Sequence, residues 1–192
     1  MKKIFIILTC VISGIASGVT MNWASATAIK FGGTSLKSDG NVSGYLVYLS
    51  SGTLAGSYTV DSAFSAEKIG TLVDTKDGSS AMSKISKDWS IDTATYGNGD
   101  SFAMLLVYND PTSKKTYFNL SSTIGKIANM SLDPPVNSDG TSFAYTYSNG
   151  NAGTLTAGGG WVAAAAVPEP ATGALALAGI ALLLKRRKTV KA

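Results

Sequence analysis

The sequence predicts an all-β protein, a single β-sandwich or jelly-roll-like body with an N-terminal signal helix and a C-terminal single transmembrane helix. Three observations carry that expectation. Short runs of β-branched and aromatic residues recur between Gly, Ser, Thr and Asn clusters at intervals of about 8–12 residues, the pattern of sandwiches and jelly rolls. The 192-residue chain opens on two lysines followed by an apolar stretch. It closes on a second apolar stretch followed by four consecutive basic residues. These features divide the chain into residues 1–26, 27–166 and 167–192.

The first part reads as a signal peptide. Lys2 and Lys3 form a basic n-region, Ile4 to Val19 a mostly apolar h-region, and Ala24-Ser25-Ala26 a small-x-small site for signal peptidase. Leu8-Thr9-Cys10 has Thr where a lipid-attachment site usually has Gly or Ala, so Cys10 is expected to leave with the leader.

The middle part is one domain by size and long enough for a sizeable core. Its predicted strands are Ala28–Phe31, Val42–Leu49, Ser57–Val60, Ile69–Asp74, Ser101–Tyr108, Thr116–Leu120, Ser142–Tyr147, Gly153–Ala157 and Trp161–Ala165. Phe102 to Tyr108 is apolar on both sides of the pleat, which predicts a central strand. The polar turn Asn109 to Lys115, with Pro111 after Asp110, predicts a hairpin that returns Thr116–Leu120 onto it. Phe143, Tyr145 and Tyr147 alternate and should share one face. Met82, Ile85 and Trp89 stand at i, i+3 and i+7, so Ala81–Trp89 is expected to be a short amphipathic helix on the sandwich. Gly158-Gly159-Gly160 is a flexible joint or a tight turn, and the body is expected to end near Ala166.

The last part has three ordered pieces. Pro168-Glu169-Pro170 is rigid and extended, because each proline fixes its own φ and biases the residue before it away from helix. Ala171 to Leu184 carries no charge; as a helix these 14 residues would reach about 21 Å at ~1.5 Å per residue. That is short of a ~30 Å hydrocarbon core, and snorkelling of Lys185 and Arg186 extends it. Lys185-Arg186-Arg187-Lys188 is a membrane-stop cluster that stays cytoplasmic while the body lies outside.

This tail resembles the PEP-CTERM sorting signal of bacterial exosortase substrates, on Pro168, Glu169 and Pro170, the Gly/Ala/Leu run and Lys185 to Lys188. The likeness covers the C-terminal 26 residues. It implies exosortase as a partner, transient residence in the membrane, removal of the tail near the motif, and delivery to the cell surface or extracellular polysaccharide. The cutting residues would belong to the exosortase, so the likeness gives this chain no catalytic residue.

Composition narrows the chemistry. Cys10 is the chain's one cysteine and there is no histidine, so the exported body would hold no disulfide and no His-based zinc site or triad. The formal charge of +4 belongs to the ends: Lys2, Lys3 and five basic residues after Pro170 lie there. Without them 9 basic residues face 12 acidic ones, a net of −3 for a body ending at Pro170, so nucleic acid is not an expected partner.

Asp74, Asp77 and Asp100 are the best carboxylates for a calcium site or a glycosidase pair, but they lack D-x-D-x-D-G spacing, and turn roles are favoured. No catalytic residue, cofactor or metal ligand is expected, and the chain is not expected to be an enzyme. Two functions remain: a structural or adhesive protein of the surface or matrix, or a carbohydrate-binding module for exopolysaccharide. An exposed, coplanar pair or trio among Tyr45, Tyr48, Tyr58, Trp89, Tyr96, Tyr117, Tyr145, Tyr147 and Trp161 would favour the second; burial of these rings in the core would favour the first.

Overall fold

The structure is a computed structural model that describes residues 19–130, 136–137 and 143–165. The expected signal helix, the sorting motif Pro168-Glu169-Pro170, the expected transmembrane helix and the basic cluster Lys185 to Lys188 lie outside the described residues. Among the described residues no helix is long and apolar enough to cross a membrane.

The body is all-β and sandwich-like. The strands are β1 (Val19–Ser25), β2 (Lys30–Phe31), β3 (Thr34–Ser35), β4 (Val42–Leu49), β5 (Thr71–Asp77), β6 (Ser86–Ile91), β7 (Ser101–Asn109), β8 (Thr116–Leu120), β9 (Gly125–Asn129), β10 (Val136–Asn137), β11 (Phe143–Tyr145) and β12 (Val162–Ala163). One sheet runs β10-β9-β7-β4-β5, with β8 beside β7 and β12 beside β8; a smaller sheet runs β11-β1-β6. A 3-10 turn, Ala66–Lys68, precedes β5.

The apolar run Ser101–Tyr108 is central, as its composition predicts. β7 pairs antiparallel with β4 along its length and with β8 and β9 on its other edge. Its even residues Phe102, Met104 and Leu106 pack with Met21, Trp23, Trp89, Phe143 and Tyr145 in the core shared with the small sheet. Its odd residues Ala103 and Leu105 pack with Val47, Phe64, Phe118, Leu155 and Val162 on the opposite face. Both faces of one strand are therefore dry, which is why it reads as a continuous apolar run. Gly44 permits the layers to meet: a Cβ there would lie 2.8 Å from Ile85 Cγ2 and 2.9 Å from the Met104 methyl.

Several sequence expectations change. Ser57–Val60 and Gly153–Ala157, expected as strands, contribute only the isolated bridge Tyr58↔Leu155. Ala81–Trp89 is not a helix. Ser83 adopts a left-handed backbone (φ 58), which a run of right-handed helix does not admit. Ile85 O then accepts a hydrogen bond from Ser25 N–H, and β6 begins at the next residue. Ile85, Trp89 and Ile91 are buried and fall at even spacing, while Met82 is 71% exposed. The i, i+3, i+7 spacing concealed a period of two.

At the N-terminal end the first strand lies ahead of residue 27. Ala24 and Ser25 lie in β1, the middle strand of the small sheet. β1 pairs antiparallel with β6 from Val19↔Ile91 to Ala24↔Ser86, and parallel with β11 from Trp23↔Phe143 to Ser25↔Tyr145. Ala26 N–H donates to Tyr145 O at 2.7 Å. Ala24 and Ala26, the expected signal peptidase site, thus stand in and directly after β1, hydrogen-bonded to its neighbours.

Candidate functional site

The nine rings named above do not make an exposed platform. Trp89, Tyr145 and Trp161 are buried, and the other six are only partly exposed. The ring pairs are tilted or edge-on: Tyr48 meets Tyr96 at 68° and Trp89 meets Tyr96 at 69°. Such T-shaped packing fills a core and leaves no shared plane for a sugar to stack on.

Several of the polar atoms on these rings have partners within the body. Tyr145 Oη donates to Phe102 O and Tyr147 Oη to Met104 O, and burial pushes both phenols well above their ordinary range. The carboxylate of Asp100 raises the Tyr48 phenol, whose Oη donates to Asp100 Oδ1 at 3.2 Å. Trp161 Nε1 donates to Lys30 O at 2.8 Å.

The three carboxylates are separated and occupied. Asp74 and Asp77 both lie in β5, where an odd separation puts them on opposite faces. Asp74 Oδ2 accepts Trp23 Nε1–H at 3.0 Å, while its Oδ1 accepts Thr75 N–H and pairs with Lys87 Nζ. It thus clasps the large sheet to both β1 and β6. Asp77 accepts Ser43 Oγ–H, and Asp100 accepts Gly97 N–H, so both brace their own loops and strands. Among the described residues no group of three or more acidic side chains is arranged to hold a metal ion.

Sequence reasoning missed a shallow cleft of about 330 Å³ over the outer face of β7 and β8, lined by Tyr45, Phe64, Glu67 and Phe118 among others. It is created by the 3-10 turn, for which the sequence carries no periodic signal. Glu67 supplies a carboxylate there, held below its ordinary range by a hydrogen bond from Ser65. A single carboxylate over a mostly apolar floor lacks the partner that acid–base cleavage of a glycoside needs.

The body is hydrogen-bonded to within three residues of the expected motif. Trp161 N–H donates to Gly150 O, Ala164 N–H to Thr116 O and Ala165 N–H to Val60 O. The triple glycine ahead of it is a tight turn: Gly158 N–H donates to Leu120 O, and Gly160 sits at φ +108, where a Cβ would collide with Gly150 O. The first proline of the motif, Pro168, follows Ala165 by three positions.

Residues 166–188 match the family model of the PEP-CTERM protein-sorting motif. The chain carries a PEP-CTERM sorting motif. No curated protein and no solved structure matched the chain. The PEP-CTERM motif indicates exosortase-dependent sorting of an exported protein, with the exosortase as its processing partner and the cell surface or extracellular space as its destination. The matched stretch contains Pro168, Glu169, Pro170 and the cluster Lys185 to Lys188. PEP-CTERM sorting thus acts on a segment that begins directly where the hydrogen-bonded body leaves off.

Proposed function

We propose that this PEP-CTERM chain is a non-enzymatic structural or adhesive component of the cell surface or extracellular matrix. The observation that carries the reading is the inward commitment of its recognition chemistry: the aromatic rings pack on one another, and Asp74, Asp77 and Asp100 are each bound within the body. The precursor is held in the membrane during export, first by its leader and then by Ala171–Leu184, whose basic end stops translocation. Removal of both ends releases a body of net charge about −3, counted to Pro170. The binding test is a glycan array with the exported protein. Absence of saturable binding supports the structural reading. Binding that Tyr45→Ala or Phe64→Ala removes would make the protein a carbohydrate-binding module instead. The processing test is intact mass of the surface fraction: a dominant species retaining Lys185–Ala192 would refute release, and alanines at Pro168, Glu169 and Pro170 should trap the protein in the membrane.

A further inference from the structure

We propose that the leader is cut after Gly18, at Ala16-Ser17-Gly18, so that the exported chain begins at Val19 with β1 intact. The inference rests on the export reading above and changes the place of the first cut.

The structure supplies the reason. Met21 and Trp23 are 1% and 0% exposed and lie in the core between the sheets. β1 is the one strand joining β6 to β11, so without it neither would have a partner in that sheet. Ser25 Oγ also accepts Ile85 N–H at 3.2 Å, and Asp74 accepts the Trp23 indole N–H. A cut after Ala26 discards every one of these groups. It leaves a cavity the size of an indole and a thioether beside Phe143 and Tyr145, and the backbone edges of β6 and β11 lose their ladder.

The residues before β1 fit a shorter leader. Lys2 and Lys3 are followed by Ile4 to Ile15, 12 residues without a charge. Such a length suits an h-region, and an 18-residue leader lies in the usual range. Ala16 and Gly18 then supply small side chains at the third and first positions before the cut. The Ala26 alternative places Met21, Asn22 and Trp23 between the apolar run and the cut. Those residues follow the period of a strand instead: Met21, Trp23 and Ser25 point inward, and Thr20 is exposed. The step is hydrolysis of the Gly18–Val19 peptide bond by signal peptidase: the C–N bond breaks, and water gives its hydroxyl to the Gly18 carbonyl carbon and a proton to the new Val19 amine.

The experiment is expression of the full-length precursor with its own leader, followed by N-terminal peptide mapping and intact mass under denaturing conditions. The expected exported species starts at Val19. Gly18→Tyr should abolish that species and accumulate precursor, while Ala26→Leu should leave the N-terminus at Val19. An exported species starting at Thr27, or loss of processing in Ala26→Leu but not in Gly18→Tyr, overturns the inference and leaves export standing. A chain that keeps Lys2 and Lys3 and stays in the cytoplasm overturns both.

Discussion

At its N-terminal end the body starts with a seven-residue strand that has a partner on each side; at its C-terminal end it finishes with a two-residue strand on the single partner β8. β1 carries Met21 and Trp23 into the core between the sheets, whereas β12 carries Val162 onto the outer face of the large sheet. The difference bears on processing. A cut inside β1 would remove core side chains, because the core extends nearly to its first residue. At the C-terminal end the last core ring is Trp161, and the residues from Val162 to the sorting motif contribute one buried side chain and a few hydrogen bonds. The C-terminal boundary therefore tolerates displacement that the N-terminal one does not.

The largest expected effect comes from breaking the N-terminal end. Removing residues 19–26 should leave the body unfolded. Loss of a buried Trp alone costs about 3–5 kcal/mol, and Met21 and the pairing with β6 and β11 go with it. Domain stabilities are about 5–15 kcal/mol, so little remains. Circular dichroism of the truncated chain against the chain beginning at Val19 checks this; a cooperative melt near the parent Tm would remove β1 from its essential place. Leu106→Asp, in the centre of β7, should be equally disabling, because an unpaired carboxylate there would be cut off from water on both faces.

Breaking the C-terminal end should cost much less. Removing residues 162–165 exposes the site of Val162 and the edge of β8, worth about 2–4 kcal/mol from one aliphatic side chain and its hydrogen bonds. The fold should survive with Tm lower by about 5–15 °C. If this truncation unfolds the body as fully as loss of β1 does, the asymmetry between the ends is false.

The reach of the sequence reading divides along similar lines. Val42–Leu49 and Thr116–Leu120 were legible to the residue, because each is an apolar or alternating run bounded by turn formers. β1 was hidden by its neighbourhood: Val19 continues the apolar leader, and Ala24-Ser25-Ala26 has the small-x-small pattern of a cleavage site. Trp23, a bulky ring among small residues, was the signal of a strand. β6 was hidden by Lys87 and Asp88, which leave Met82, Ile85 and Trp89 compatible with a helix until β1 is present as a partner. The sorting motif was legible because its chemistry is linear, three pieces in fixed order. The fate of the aromatics was not, since a Tyr on a strand reads the same whether its face meets solvent or a second sheet.

A smaller effect sharpens how β1 is held. Asp74 is the polar clasp between β5 and the small sheet, accepting from Trp23 and pairing with Lys87. Asp74→Ala leaves the indole N–H without an acceptor and Lys87 without a counter-charge, at a cost of about 2 kcal/mol. In a body of this size that is a Tm loss of about 4–8 °C. Asp77→Ala, which releases only the Ser43 hydroxyl near the surface, should move Tm far less. Equal shifts for the two variants would deny Asp74 its role in fastening the N-terminal end.

The smallest effect at ordinary pH is the response to alkali. Tyr145 lies on β11 opposite Ser25 of β1, and Tyr147 follows two residues on. Burial raises both phenols well above the ordinary tyrosine value of about 10, so in the folded body they stay protonated at a pH where the unfolded chain has begun to lose those protons. A group raised on folding contributes stability that is fully present below its unfolded pKa and is lost as pH rises toward the folded one. The unfolded state then binds fewer protons, and the slope of stability against pH is negative. Unfolding free energy should therefore hold level through the neutral range, where the chain has no histidine to titrate, and fall above about pH 10. At the acid end the sign reverses: Asp92 and Asp110 are lowered by hydrogen bonds from Thr95 and Ser113, so their small contributions disappear as pH falls below about 4. Urea titrations between pH 8 and 11.5 on the parent and on Tyr145→Phe and Tyr147→Phe separate the causes. Each Phe variant should lose a hydrogen bond at pH 8 yet show a shallower alkaline decline than the parent. An alkaline slope unchanged in both variants would assign the decline to other tyrosines, such as the raised Tyr96 and Tyr108, and would detach it from the β1–β11 end of the body.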